Sequence, residues 1–146
     1  MAVDVLTEIE ISRPREEVAA FAADPDNATA WYKNIQSVEW ETPRPAVAGS
    51  RIRFTARFLG RSLEYTYEVR EVDPGSRFVM STHEGPFPME TTYTWEDAPG
   101  GGTRMTLRNR GEPAGFDAVA APVMVRAMRR ANEADLRRLK ALLEAA

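Results

Sequence analysis

The chain has 146 residues, 43% hydrophobic and 28% charged, with a net charge of −3. That length reads as one domain, residues 1–146, long enough to bury a real core. Charges of both signs are interspersed, so the basic footprint of a nucleic-acid binder is missing, and the absence of cysteine excludes disulfides, thiolate metal sites and cysteine nucleophiles.

Val3, Val5, Thr7, Ile9 and Ile11 alternate with polar residues, the period of a half-buried first strand, with Leu6 on the wrong face. Ser12, Pro14, Glu16 and Glu17 then make a helix start: a capping hydroxyl, a first-turn proline and acids near the positive dipole end. Val18, Phe21 and Ala22 form the buried side of that short helix. Asp24-Pro25-Asp26 interrupts it, and Asn27 to Tyr32 reads as a second short helical turn. Trp31 and Trp40 are expected to anchor that turn to the sheet.

Six further strands follow, near 35–41, 50–58, 63–70, 77–84, 89–96 and 103–110. Leu59-Gly60-Arg61 reads as a tight hairpin, Asp73-Pro74-Gly75-Ser76 as a turn, and Gly85-Pro86-Phe87-Pro88 as a kink. Arg51, Arg53 and Arg57 share an outer face with glutamates of the neighbouring strand, which favours cross-strand pairs over an anion site. The chain closes on an amphipathic helix from Phe116 to Ala146. At about 100° per residue, Met124, Val125, Met128, Leu136, Leu139, Leu142 and Leu143 fall on one face.

This order resembles the helix-grip fold of the START/Bet v 1-like superfamily, and in its wording the SRPBCC branch of bacterial polyketide cyclase/dehydrase-type proteins. The matching stretches are Ile11-Ser-Arg-Pro-Arg-Glu-Glu-Val18, Asp24-Pro-Asp-Asn27 with Trp31, Glu71-Val-Asp-Pro-Gly75, Gly85-Pro-Phe-Pro88, Gly101-Gly-Thr-Arg104 and Asp135-Leu-Arg-Arg-Leu-Lys-Ala-Leu-Leu-Glu144. Together they span nearly the whole chain in order. The resemblance implies an α+β architecture: a seven-stranded curved antiparallel sheet wrapped on a long C-terminal helix, with two short helices after the first strand. It also implies a hydrophobic ligand, polyketide-like or lipid-like, held between sheet and helix. It carries over no catalytic residue and calls for no cofactor.

Candidate site residues come from polar groups on apolar faces. Asn132 lies in the middle of the helical stripe and Asp135 at its edge; a buried polar group needs a partner or costs roughly 1–3 kcal/mol. Either they point into a ligand cavity, Asp135 as an acid/base, or Asn132 is tied to a strand and Asp135 to an arginine such as Arg138. Tyr65, Tyr67 and Tyr93 are expected to face inward, as core or as cavity wall, with Asn109 a weaker inward candidate. Met128, among the six methionines, is expected to give an adaptable lining. If Phe78, Met80 and Thr82 face inward, strict alternation turns Glu84 inward too, as a candidate general base, and His83 to the opposite face. The competing reading of Glu84 is a strand-end carboxylate in water.

One histidine and no cysteine argue against a metal site, and no P-loop or dinucleotide motif occurs. The N-terminus lacks a signal-peptide pattern, and no run approaches the roughly 18 apolar residues of a membrane span. The expectation is a cytoplasmic protein without a transmembrane segment or nucleic-acid partner, with a homodimer left open, that binds a small hydrophobic or aromatic molecule. A cyclase or dehydratase using Glu84 or Asp135 is the second reading, and a packed interaction domain without a hollow the third.

Overall fold

The computed structural model describes residues 2–85, 88–112 and 121–146. Strand β1, Val3–Ile11, keeps its period: Val3, Val5, Thr7 and Ile11 are buried and Leu6 is exposed. Helix α1, Arg15–Ala22, follows, then a 3-10 turn at Pro25–Asn27 and helix α2, Ala28–Trp31. Ser12 does not cap α1. The helix starts directly after Pro14, so the serine lies too early, and its N–H instead donates to Glu144 Oε2 at 2.8 Å.

The remaining strands are β2 Ile35–Trp40, β3 Arg51–Phe58, β4 Arg61–Asp73, β5 Arg77–Glu84, β6 Met89–Asp97 and β7 Thr103–Gly111. They form a seven-stranded antiparallel sheet in the order β1-β7-β6-β5-β4-β3-β2. The two short helices therefore carry the chain from one sheet edge to the other. The β3–β4 connection is a two-residue turn with Leu59 at φ 50° and Gly60 at φ 77°, the left-handed pair whose twist matches a tight hairpin.

Helix α3, Ala121–Ala145, lies across the sheet. Its buried residues are Met124, Met128, Asn132, Asp135, Leu136, Leu139 and Leu143. Leu142, expected on this face, is 41% exposed, while Leu139 and Leu143 on either side of it in sequence are buried. The expected start at Phe116 lies outside the described residues. Arg129 and Lys140 of α3 donate to the Leu6 and Glu10 carbonyls at 2.9 and 2.8 Å. These bonds cover part of the free edge of β1, where open backbone groups would invite another strand.

The opposite sheet face carries ion pairs. Arg53 lies near Glu39, Glu41 and Glu64, Arg104 near Glu8 and Glu96, and Arg108 near Asp4. Exposed to water, such pairs are screened and hold the fold only weakly. Arg51, beside Glu68, and Arg53 belong to this network rather than to an anion site.

Candidate functional site

The inward faces of the strands and the buried face of α3 do not fully meet. Between them lies a cavity of about 150 Å³. One wall is apolar: Ile35 of β2, Phe54, Ala56 and Phe58 of β3, and Leu63 of β4. Ala22 and Ala28 of the short helices form its roof, and Phe78, Met80 and Met89 continue the floor. Small residues at Ala22, Ala28, Ala56 and Ala131 leave room where larger ones would close it.

The other wall is polar and belongs to the middle of α3 and the strands beneath. Tyr67, Thr91, Tyr93, Asn109, Met128, Asn132 and Asp135 all line the cavity, as does Tyr65. A hydrogen-bond chain runs along it. The Tyr67 and Thr91 hydroxyls are 3.3 Å apart, Thr91 Oγ1 donates to Asn109 Oδ1 at 2.6 Å, and Asn109 Nδ2 donates to Asn132 Oδ1 at 3.3 Å. The chain ends on Asn132 Nδ2, a buried donor without a partner among the described residues. Trp31 Nε1 and Trp95 Nε1 are likewise buried without a partner among the described residues, but neither tryptophan lines the cavity.

Asp135 stands one helical turn beyond Asn132 and is 3% exposed. Its Oδ1 accepts the Lys33 backbone N–H at 3.1 Å and lies 3.6 Å from Arg138 Nη1, which also donates to the Trp31 carbonyl at 3.0 Å. Burial pushes its carboxyl up from 3.8 to about 6, against the lowering effect of the Lys33 N–H and Arg138. Asn132 is tied to a strand residue and Asp135 to Arg138, and both line the cavity. Burial likewise raises the phenols of Tyr32, Tyr65, Tyr67 and Tyr93 above the ordinary tyrosine range, so all four are neutral donors at physiological pH.

Glu84 is not in the cavity. Tyr67 pairs with Thr82 but Thr66 pairs with Glu84, so His83 is an extra residue in β5. A bulge of this kind reverses the alternation beyond it. Glu84 therefore shares the outer face with Thr66 and is exposed, while His83 Nδ1 sits 3.5 Å from the outer-face Glu68. The alternation expected for His83 and Glu84 fails for the same reason, and the general-base assignment to Glu84 falls with it.

Tyr32 and Thr91 are among the cavity residues that escaped the sequence reading. Tyr32 ends α2, and its hydroxyl meets that of Tyr93 at 2.5 Å. No periodic signal marks a residue just past so short a helix. Thr91 was findable, since it stands two residues before Tyr93 and so on the same strand face. Trp31 is fully buried, 5.7 Å from the Tyr93 ring, and anchors α2 as expected.

A sheet of this order, gripping a C-terminal helix with two short helices after the first strand, is the helix-grip fold. Residues 2–144 match the family model described as polyketide cyclase / dehydrase and lipid transport, and the chain belongs to that family. Among solved structures it is similar to the TTHA0849 protein of Thermus thermophilus, at 26% identity and a TM-score of 0.83, with 99% of each chain covered. It is similar also to a START superfamily protein of Mycobacterium smegmatis, at 14% identity and TM-score 0.84, covering 97% of each chain. A third is the Zhui aromatase/cyclase of a Streptomyces species, at 16% identity and TM-score 0.80, covering 99% of this chain and 94% of that one. At the identities of the last two, the likeness is one of fold. No curated protein matches the sequence. Among the described residues, no helix is long and apolar enough to cross a membrane.

Proposed function

We propose that the chain binds a small hydrophobic or aromatic molecule in the cavity between the sheet and α3. The supporting observation is the cavity itself, about 150 Å³ with one apolar and one polar wall. Apolar contacts with Phe54, Phe58, Leu63 and Met80 supply affinity, while Asn132, Asn109 and the tyrosines set orientation, the usual division of labour in a ligand pocket. A hollow of this size takes a single benzene-sized ring or a short extension of one. The family's description, which includes lipid transport, agrees with a carried hydrophobe. Native mass spectrometry of freshly purified protein, followed by denaturing extraction, tests the reading. A co-purified hydrophobe at one per chain is the expected result. An empty chain that also takes up no aromatic hydrophobe on titration overturns it.

A second reading rests on Asp135. A carboxyl raised to about 6 that shares a cavity with neutral hydroxyl and amide donors is the arrangement a general base needs. In this reading the chain is a cyclase or dehydratase acting on an enolisable carbonyl compound, with Asp135 removing a proton while Asn132 or a tyrosine polarises the carbonyl. Glu84 has no part in it. Turnover of a confirmed substrate that survives Asp135→Asn unchanged eliminates this mechanism.

A further inference from the structure

We propose that the preferred ligand is a neutral aromatic carbonyl compound, an aryl ketone in its simplest form, whose oxygen accepts from Asn132 Nδ2, and that the cavity rejects carboxylates. The inference rests on the binding reading above and specifies its chemistry.

The direction of the hydrogen-bond chain carries the first half. Thr91 donates to Asn109 Oδ1 and Asn109 donates to Asn132 Oδ1. Each amide oxygen thus already accepts one bond, and the group left with none is a donor, on a residue that lines the cavity. Asn132 is 6% exposed, and its Nδ2 has no partner among the described residues. A buried N–H left in that state is costly, and a ligand oxygen placed against it recovers the loss. A hydrocarbon does not, and a ligand offering only donors meets a donor. The surrounding rings suit a flat molecule: Phe78 stacks on Tyr93 at 5.9 Å and 17°, and Phe54, Tyr65 and Tyr67 contact one another.

The charges near that donor carry the second half. Asp135 lies three residues further along α3, about one helical turn, in the same wall. A ligand carboxylate beside Asn132 would face this second carboxylate in a desolvated site, which disfavours both charged forms. Arg138 is committed, since it already holds the Trp31 carbonyl and Asp135. Lys33 meets Asp135 through its backbone N–H, and its ammonium, which does not line the cavity, acts on that carboxylate at longer range. Arg57 is the one cationic residue among the described lining residues, and it is exposed, on β3 with the apolar wall.

Three molecules of one ring and nearly equal size separate the possibilities: ethylbenzene, acetophenone and benzoate, titrated calorimetrically into the full chain at pH 7.5, where Asp135 is ionised. Ethylbenzene is the most poorly hydrated, so burial alone ranks it first. The expected order is different. Acetophenone binds at least as tightly as ethylbenzene, and benzoate at least tenfold more weakly than acetophenone. In Asn132→Leu the acetophenone affinity falls about tenfold while ethylbenzene binding persists, a loss of about 1.4 kcal/mol. Ethylbenzene binding more tightly than acetophenone to the native chain, or benzoate coming within tenfold of acetophenone, overturns this inference and leaves the hydrophobic-ligand reading standing. Failure of all three to bind overturns both. The native-chain comparison decides the matter even if the Asn132 variant does not fold.

Discussion

Asp135 is one carboxyl on which the fold and the cavity make opposite demands. Burial raises its value from 3.8 to about 6, so the folded chain holds this proton where the unfolded chain has released it. The sign for stability follows: the native state binds more protons across this window, so stability falls as pH rises. Its contribution is complete below 3.8 and lost by the time pH passes about 6. Asp4, Asp26 and Glu144 act the other way, because arginine or lysine partners lower them, but they are exposed and their effect lies below the ordinary carboxylate range. Between pH 4.5 and 7 the slope therefore belongs mainly to Asp135, at about 2 kcal/mol. Urea unfolding at the two pH values should show the native chain losing that amount. Asp135→Asn, which keeps an acceptor for the Lys33 N–H, should show a flat profile and greater stability at pH 7.

At the scale of the elements, the β5 end of the cavity is set by one close approach. A Cβ on Gly85 would lie 2.7 Å from Tyr65 Cβ and 3.4 Å from its Cα. Glycine is needed there because Tyr65 Cβ stands in the way, and a Cβ is fixed by its own backbone, so no side-chain rotation moves it aside. Gly85→Ala should therefore cost about 1–3 kcal/mol and shift Tyr65 in the cavity wall. A lowered urea midpoint together with weakened acetophenone binding is the expected pair of results. The same strand shows where sequence reading stopped. Alternation identified Tyr65, Tyr67 and Tyr93 as inward, and the helical period placed Asn132 and Asp135 on the buried face of α3, because both are regular repeats carried over several residues. The extra residue at His83 leaves no trace in composition, yet it turns Glu84 to the other face. The partners of a side chain were equally invisible. That Asn109 meets Asn132 depends on β7 passing beneath the middle of α3, a contact between elements that no local period encodes. Tyr32 shows a third limit, since its position follows from how α2 docks on α3 and β2 rather than from its own four-residue turn.

Across the whole molecule, the cavity is a stability cost that the packing could have avoided. Interiors normally close to the density of organic crystals, and a chain with this much aromatic and aliphatic bulk has the means to do so. Instead Ala22, Ala28, Ala56 and Ala131 stand where the sheet, the short helices and α3 converge. Ala56 is the informative position. It is buried, central in β3, and paired with Leu63 on one side and Ile35 on the other. Ala56→Leu would extend a branched side chain into an existing space of about 150 Å³ rather than into a filled core. New apolar contacts should then outweigh strain, since the usual penalty for overpacking arises from atoms with nowhere to go. The expected outcome is a melting temperature unchanged or a few degrees higher, a cooperative unfolding transition, and loss of aromatic-ligand binding by tenfold or more. That combination would assign the hollow to function, as sites retained for binding are commonly stabilised by filling them. A variant that unfolds below the native chain would mean that the space closes around its own side chains and has no room to give a ligand.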